Sequence, residues 1–324
     1  MPSPETEFTR LTDPHRRELL VHCYRMLGSF HDAEDVLQET YLRAWRAYPK
    51  FEGRSSVRTW LYRIATRACL TALESSGRRL LPSGLGIAST DPFVPLAEQR
   101  PEVPWLEPLP DSAVGTDAED PATIAIRHES TRLAFVAALQ ELPARQRAAL
   151  VLRDVLQWPA ADVAELLELS VAAVNSALQR ARAHLAGSTR SEEDVTMSED
   201  LDADILSQFV TAFETSDLAA LTALLRHDVE LEMPPIPTWF SGRDAVAGFF
   251  GHRVMTGVRR RLIPTHANGC PAVATYQGAE DGKWHAHSIQ VLEIRDGAIA
   301  RIYAFLDPTL FESFALPAVL PESD

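Results

Sequence analysis

The sequence predicts a multidomain chain: two all-α modules, a helical bundle and a helix-turn-helix, followed by an α+β cone in which helices precede a curved antiparallel sheet. Three observations lead there. Apolar residues recur at helical spacing from about residue 12 to 76 and again from 123 to 186. Between these runs lie Gly77, Pro82, Gly84, Gly86, Pro92, Pro95, Pro101, Pro104, Pro108, Pro110 and Pro121, which break helices and mark a linker. After residue 200, two helical patterns give way to β-branched alternating runs. The expected boundaries are 8–76, 77–122 (linker), 123–187, 188–200 (acidic linker) and 201–315.

A chain of 324 residues exceeds one small core, and its 46% hydrophobic and 23% charged content is ordinary for soluble protein. No apolar run approaches the ~18 residues that span a bilayer. Met1 to Leu20 mixes acids, bases and prolines, unlike a secretory leader, so a cytoplasmic protein without membrane partners is expected. The formal charge of −14 is uneven. Residues 1–190 carry 22 Lys+Arg against 24 Asp+Glu, and residues 191–324 carry 9 against 21. The acidity belongs to the C-terminal part, which leaves room for local basic stripes in the helical modules. Cys23, Cys69 and Cys270 form no C-x-x-C pair and no zinc spacing with histidine, so buried reduced thiols, no metal and no cofactor are expected.

In the first module, His31–Trp45 reads as an amphipathic helix capped by Asp32, with Ala33, Val36, Leu37, Tyr41, Ala44 and Trp45 on the buried face. Asp35, Gln38, Glu39 and Arg43 lie on the other side, which on spacing alone is a solvated charged face. A second helix runs from about Ser55 to Leu73 on Val57, Leu61, Ile64 and Ala68, and Arg58, Arg63 and Arg67 line its other faces near Thr59, Trp60 and Thr66. Arginines hold phosphates, and an exposed aromatic supports an unstacked base; solvation, with Trp60 packed in the core, is the plainer reading.

The run AEDVLQETYLRAWRAYPKFEGRSSVRTWLYRIATRACL resembles region 2 of extracytoplasmic-function (ECF) sigma factors over about 40 positions. The acidic-and-Gln helix, Trp45, the Phe51-Glu52-Gly53 turn and the Trp60–Ala65 run follow the family pattern in order. The resemblance implies core RNA polymerase as partner, with Asp35, Gln38 and Glu39 facing the β′ clamp helices. It also implies that Phe51, Arg54, Ser55, Arg58, Thr59, Trp60, Arg63 and Arg67 read the melted −10 element of promoter DNA. A single strand exposes base edges to a pocket beside a basic track.

In the second module, Leu142–Val155 is helical, Trp158–Leu167 gives a short helix with proline at its start, Glu168-Leu169-Ser170 turns, and Ser170 caps a helix built on Val171, Val174, Leu178, Ala181 and Leu185. This is a helix-turn-helix or, more plainly, a helical hairpin. Its outward side chains include Asn175, Ser176, Gln179, Arg180 and Arg182, of types that pair with base edges or phosphates. ELPARQRAALVLRDVLQWPAADVAELLELSVAAVNSALQRARAHL resembles sigma region 4, which implies −35 recognition and a contact with the polymerase β flap; its recognition helix carries few basic residues.

Within the linker, Trp105, Leu106, Glu107 and Pro108 resemble the Trp-Leu-Pro-Glu-Pro motif of ECF sigma factors that carry a SnoaL-like C-terminal domain, with Pro and Glu exchanged. A plain proline-rich tether is the alternative. Asp228–Leu231, Trp239–Arg243 and Arg295–Gly297 in turn resemble SnoaL-like members of the nuclear-transport-factor-two-like superfamily. Such cones often enclose a pocket, for which Trp239, Phe240, His266, Tyr276, His285, His287, Tyr303 and Asp307 are the candidate lining, and His287 with Asp307 is the candidate proton-transfer pair. Where some relatives have Asp-Gly-Gly-Gly-Lys, this chain has Asp281-Gly282-Lys283. Intramolecular docking as a built-in regulator is the expected role, with a small ligand as an alternative. No catalytic residue is assigned. A SnoaL-like cyclase or isomerase tethered to a DNA-binding module, and a ligand-sensing repressor, are the competing readings; a repressor has no use for residues 20–75.

Overall fold

The computed structural model describes residues 3–75, 77–115, 130–188 and 199–321. Pro121, the first residues of the second module and most of the acidic linker lie outside them. Among the described residues, one unit joins everything up to Arg79 with Ala113 onward to Ser188, and the other joins Leu80–Ser112 with everything from Glu199.

In the first unit, α1 (Pro4–Thr12) is capped by Ser3, α2 is Arg16–Leu27, α3 is Phe30–Ala47 and α4 is Val57–Ser75. α2 is enclosed on every side, and Leu19 through Leu27 are all buried. Burial holds the His22 imidazole neutral, its pKa pushed down to about 3, with Arg25 adding to the effect; its Nε2 meets Thr66 Oγ1 at 2.9 Å. α2 ends on Gly28 at φ 71°, where a Cβ would lie 2.9 Å from the Gln140 side chain. Glycine is required there by conformation and by the close approach of the next module.

That module comprises α5 (Leu133–Gln140), α6 (Ala144–Leu150, continued by a wider turn over Val151–Val155), α7 (Ala160–Leu167) and α8 (Val171–Ser188). Arg147 joins the two modules. Its guanidinium donates to the carbonyls of Leu139 (2.8 Å), Gln140 (3.1 Å) and Leu142 (3.2 Å), to Gln140 Oε1 (2.6 Å) and to the Met26 carbonyl. One cation thus caps the C-termini of α2 and α5, where the last carbonyls lack intrahelical donors and the dipoles favour positive charge. Burial, then Arg78, pushes its pKa down to about 10, still protonated at neutral pH.

The second unit contains α9 (Glu199–Glu214), α10 (Leu218–Leu224), β1 (Leu225–Met233), β2 (Ile236–Ser241), α11 (Arg243–Phe249), β3 (Arg260–Ala267), β4 (Cys270–Gly278), β5 (Trp284–Arg295), β6 (Ala298–Phe305), α12 (Leu310–Ser313) and β7 (Val319–Leu320). The strands run in the order β2-β1-β6-β5-β4-β3, antiparallel except for the β1–β6 pair, and β7 pairs with the start of β5. Phe209, Phe213, Phe240, Phe249 and Phe250 fill the space between helices and sheet together with Leu231, Leu292 and Ile302. The expected helices-then-sheet order is the one observed.

Residues 80–112, expected as a tether, fold with this second unit. Ser89 pairs with β2, its amide donating to the Trp239 carbonyl (2.8 Å) and its carbonyl accepting from Ser241 N (3.1 Å). Other donors of the segment find side chains: Ser83 N reaches Glu232 Oε2 (2.8 Å), Ala97 N reaches Thr238 Oγ1 (2.9 Å) and Leu109 N reaches Asn268 Oδ1 (2.9 Å). Prolines limit helix here to the short turn Pro82–Gly84 and the start of a turn at Asp111, and distant polar groups supply partners that regular structure would have supplied.

Candidate nucleic-acid interface

α3 is capped one turn earlier than expected. Ser29 Oγ accepts from Asp32 N (3.1 Å), and Asp32 instead pairs with Arg79 at 2.5 Å. The inward face is Ala33, Leu37, Thr40 and Ala44, all buried. Trp45 is a correction. It is 40% exposed and packs edge-on against Phe8 at 5.2 Å, because α1 covers one side of its ring only. Asp35 and Gln38 are exposed and Glu39 forms an i,i+4 pair with Arg43 (2.7 Å). Beside them stands Leu42, 51% exposed, which the sequence reading missed. Its position three and four residues beyond Glu39 and Gln38 was the available signal.

At the other end of this module, Gly53 turns the chain at φ 70° between Phe51 and α4. Phe51 stacks on Trp60 with ring centroids 4.7 Å apart. Ser56 caps α4 through Thr59 N (3.0 Å) and Ser55 is half-buried. The basic candidates differ in availability. Arg54 pairs with Glu52 (2.6 Å) but is 86% exposed. Arg58 is held by Glu18 (2.7 Å) and lies over the Tyr62 ring (5.0 Å). Arg63 donates to both carboxylate oxygens of Glu165 (2.8 and 3.1 Å), and Arg67 lies 3.7 Å from Glu168.

In the helix-turn-helix, Ser170 Oγ accepts from Ala173 N (3.1 Å), as its position predicts. Val174, Ala177, Leu178 and Ala181 form the inward face of α8, whereas Val171 is 44% exposed. Val171 is a correction: as the first helical residue it precedes the part of α8 that is packed. Asn175, Ser176, Gln179 and Arg180 are exposed together, and Arg182 makes a two-pronged pair with Asp154 (2.8 and 2.6 Å).

Around the linker motif, the Trp105 indole donates to the Arg100 carbonyl (2.8 Å), Leu106 and Pro108 are buried, and Glu107 is half-buried. The eight candidate pocket residues do not all share one face of the sheet. Phe240 lies in the helix–sheet core, while its neighbour Trp239 points the other way and donates to the Gly86 carbonyl (3.0 Å). Alternation along a strand makes this unavoidable. Tyr276 donates to the Pro317 carbonyl (2.9 Å) and meets Phe311 edge-on; Tyr303 is buried near Arg301 (3.5 Å). His266 and Asp307 are exposed. Asp307 accepts from the amide (2.9 Å) and hydroxyl (2.7 Å) of Thr309. Of the candidate histidines, His285 has a carboxylate partner, Asp281 at 2.9 Å, while burial and then Arg260 lower the pKa of His287.

An exposed acidic helix face, a basic aromatic turn and a helix-turn-helix, followed by a helix-covered curved sheet, define a sigma-type transcription protein with an added domain. Family models agree: Sigma-70 region 2 matches residues 11–79, Sigma-70 region 4 matches 132–185 and the SnoaL-like domain matches 206–302. The chain belongs to the ECF RNA polymerase sigma factors and carries a C-terminal SnoaL-like domain. It is 49% identical over 315 residues to the ECF RNA polymerase sigma factor SigG of Mycobacterium tuberculosis, covering 96% of this chain and 84% of that one. To SigJ of the same organism it is 26% identical over 318 residues, 91% of this chain and 90% of that one. The crystal structure of SigJ matches at a TM-score of 0.59 and 25% identity, over 97% of this chain and 99% of that one. These relatives are RNA polymerase sigma factors, proteins of transcription initiation rather than enzymes. Among the described residues, no helix is long and apolar enough to cross a membrane.

Proposed function

We propose that Asp35, Gln38 and Glu39, with Leu42 beside them, form the surface of α3 that binds the β′ clamp of core polymerase. Phe51, Arg54, Ser55, Arg58, Thr59, Trp60, Arg63 and Arg67 serve the melted −10 element. Asn175, Ser176, Gln179, Arg180 and Arg182 serve the −35 element, and the module around them meets the β flap. The chain acts in the cytoplasm, needs no cofactor and leaves all chemistry to the polymerase. The observation that carries this reading is the joint exposure of Asn175, Ser176, Gln179 and Arg180 on a capped helix. Side chains of these types pair with bases only from such a protruding face.

The SnoaL-like domain regulates by docking, with Trp105, Leu106, Glu107 and Pro108 as part of its packed surface. Phenylalanines between helices and sheet, and a histidine–carboxylate pair placed at His285 rather than His287, favour docking over turnover or ligand capture.

Arg180→Ala is expected to weaken holoenzyme binding to its promoter by about 1–3 kcal/mol, with little change on a duplex whose −35 bases are scrambled. Competition between the two duplexes measures this. An equal loss on both would make Arg180 a phosphate contact and remove it from base reading.

A further inference from the structure

One carboxylate in the first module gathers three side chains. Glu18, in the first turn of α2, accepts from Arg58 Nε (2.8 Å) and Nη2 (2.7 Å) and from the Tyr62 hydroxyl (3.1 Å), and His15 Nδ1 lies 2.7 Å from its Oε1. Tyr62 is buried, and burial, then Glu18, pushes its phenol far above the ordinary range, so it stays a donor at any working pH. Arg58 also lies over the Tyr62 ring, 5.0 Å from its centroid. The guanidinium is thus fixed by its Nε–Nη2 edge and by one face. Its remaining nitrogen, Nη1, makes no protein hydrogen bond among the described residues, and the side chain is 43% exposed. Arg54 is placed differently. It pairs with Glu52, but both side chains are mostly exposed (86% and 64%), and such a surface pair fixes little.

We propose that Glu18 is a positioning residue for −10 reading: it holds Arg58 by one edge so that Nη1 meets the unpaired strand from a single direction. An arginine already restricted in this way loses less freedom when a base edge arrives, and its free donor has a defined aim. Glu18 acts through Arg58 alone, so the inference rests on the assignment of Arg58 to the −10 element. The acid also removes positive charge from this face. A positioning acid therefore helps the matching sequence, whereas an acid that only repels the strand weakens every sequence alike.

The test uses holoenzyme, the full chain with core polymerase, and two labelled single strands read by fluorescence anisotropy. One carries the −10 bases of a promoter selected with this chain, and the other carries those bases scrambled. In Glu18→Gln the amide keeps an oxygen for Tyr62 but loses the anionic partner of Arg58. The matched strand is expected to bind about three- to tenfold more weakly. The scrambled strand is expected to bind equally or more tightly, because a negative charge has gone. In an Arg58→Ala background the same change is expected to alter matched-strand affinity by less than about twofold. Equal weakening on both strands, or an undiminished loss in the Arg58→Ala background, would make Glu18 a structural acid and overturn its positioning role while keeping the −10 assignment. Unchanged or tighter binding of the matched strand by Glu18→Gln would overturn that role as well. If Arg58→Ala alone leaves the matched strand unaffected, the −10 assignment of Arg58 falls and the inference falls with it.

Discussion

Asp35→Lys combined with Glu39→Lys is expected to abolish capture of core polymerase, a loss of at least about 100-fold. Reversing two charges on a binding face turns attraction into like-charge contact, which costs several kcal/mol. The fold is expected to survive. Asp35 is exposed, and Glu39 gives up only an exposed pair with Arg43, worth about 0.3–0.5 kcal/mol. Melting temperature should therefore stay within about 2 °C of native. Co-purification with core polymerase reads the binding; undiminished capture by a folded variant would take the interface off α3.

Arg147→Met is expected to have the largest effect on stability. Methionine fills similar space, but the carbonyls of Met26, Gln140 and Leu142 lose this donor, and that of Leu139 keeps only backbone amides of the helix end. Unpaired buried acceptors cost about 1–3 kcal/mol each, with partial relief from relaxation and water. A net loss of about 3 kcal/mol is expected, a fall of about 6–12 °C for a unit of this size. All of these acceptors are neutral oxygens, so the loss should persist in high salt, unlike that of a surface ion pair. A change below about 1 kcal/mol in a denaturant titration would show that the guanidinium does not cap these helices.

Much of this architecture was legible in the sequence because it is local. The three-four spacing of Val174, Leu178 and Ala181 and the cap at Ser170 state a helix without tertiary help. The same spacing put Trp45 and Val171 in the core, and there it failed: periodicity gives the side of a helix but not how far a neighbour covers it. The fold of residues 80–112 was not legible at all. Its donors end on Glu232, Thr238 and Asn268, more than 100 positions away, and no periodicity announces such partners. The pairing of Arg63 with Glu165 is hidden for the same reason. The pocket candidates are divided by strand geometry, since neighbours such as Trp239 and Phe240 point to opposite faces and a bulge at His287, between the pairs Thr275–Ser288 and Tyr276–Ala286, shifts the alternation on β5.

The most direct test is run-off transcription with purified core polymerase and the full chain, on promoters selected from a genomic library. Transcripts starting at defined positions, absent with core alone and lost with the Asp35→Lys, Glu39→Lys variant, are the expected result. No transcript above core alone on any selected promoter would contradict the assignment of promoter recognition to this chain.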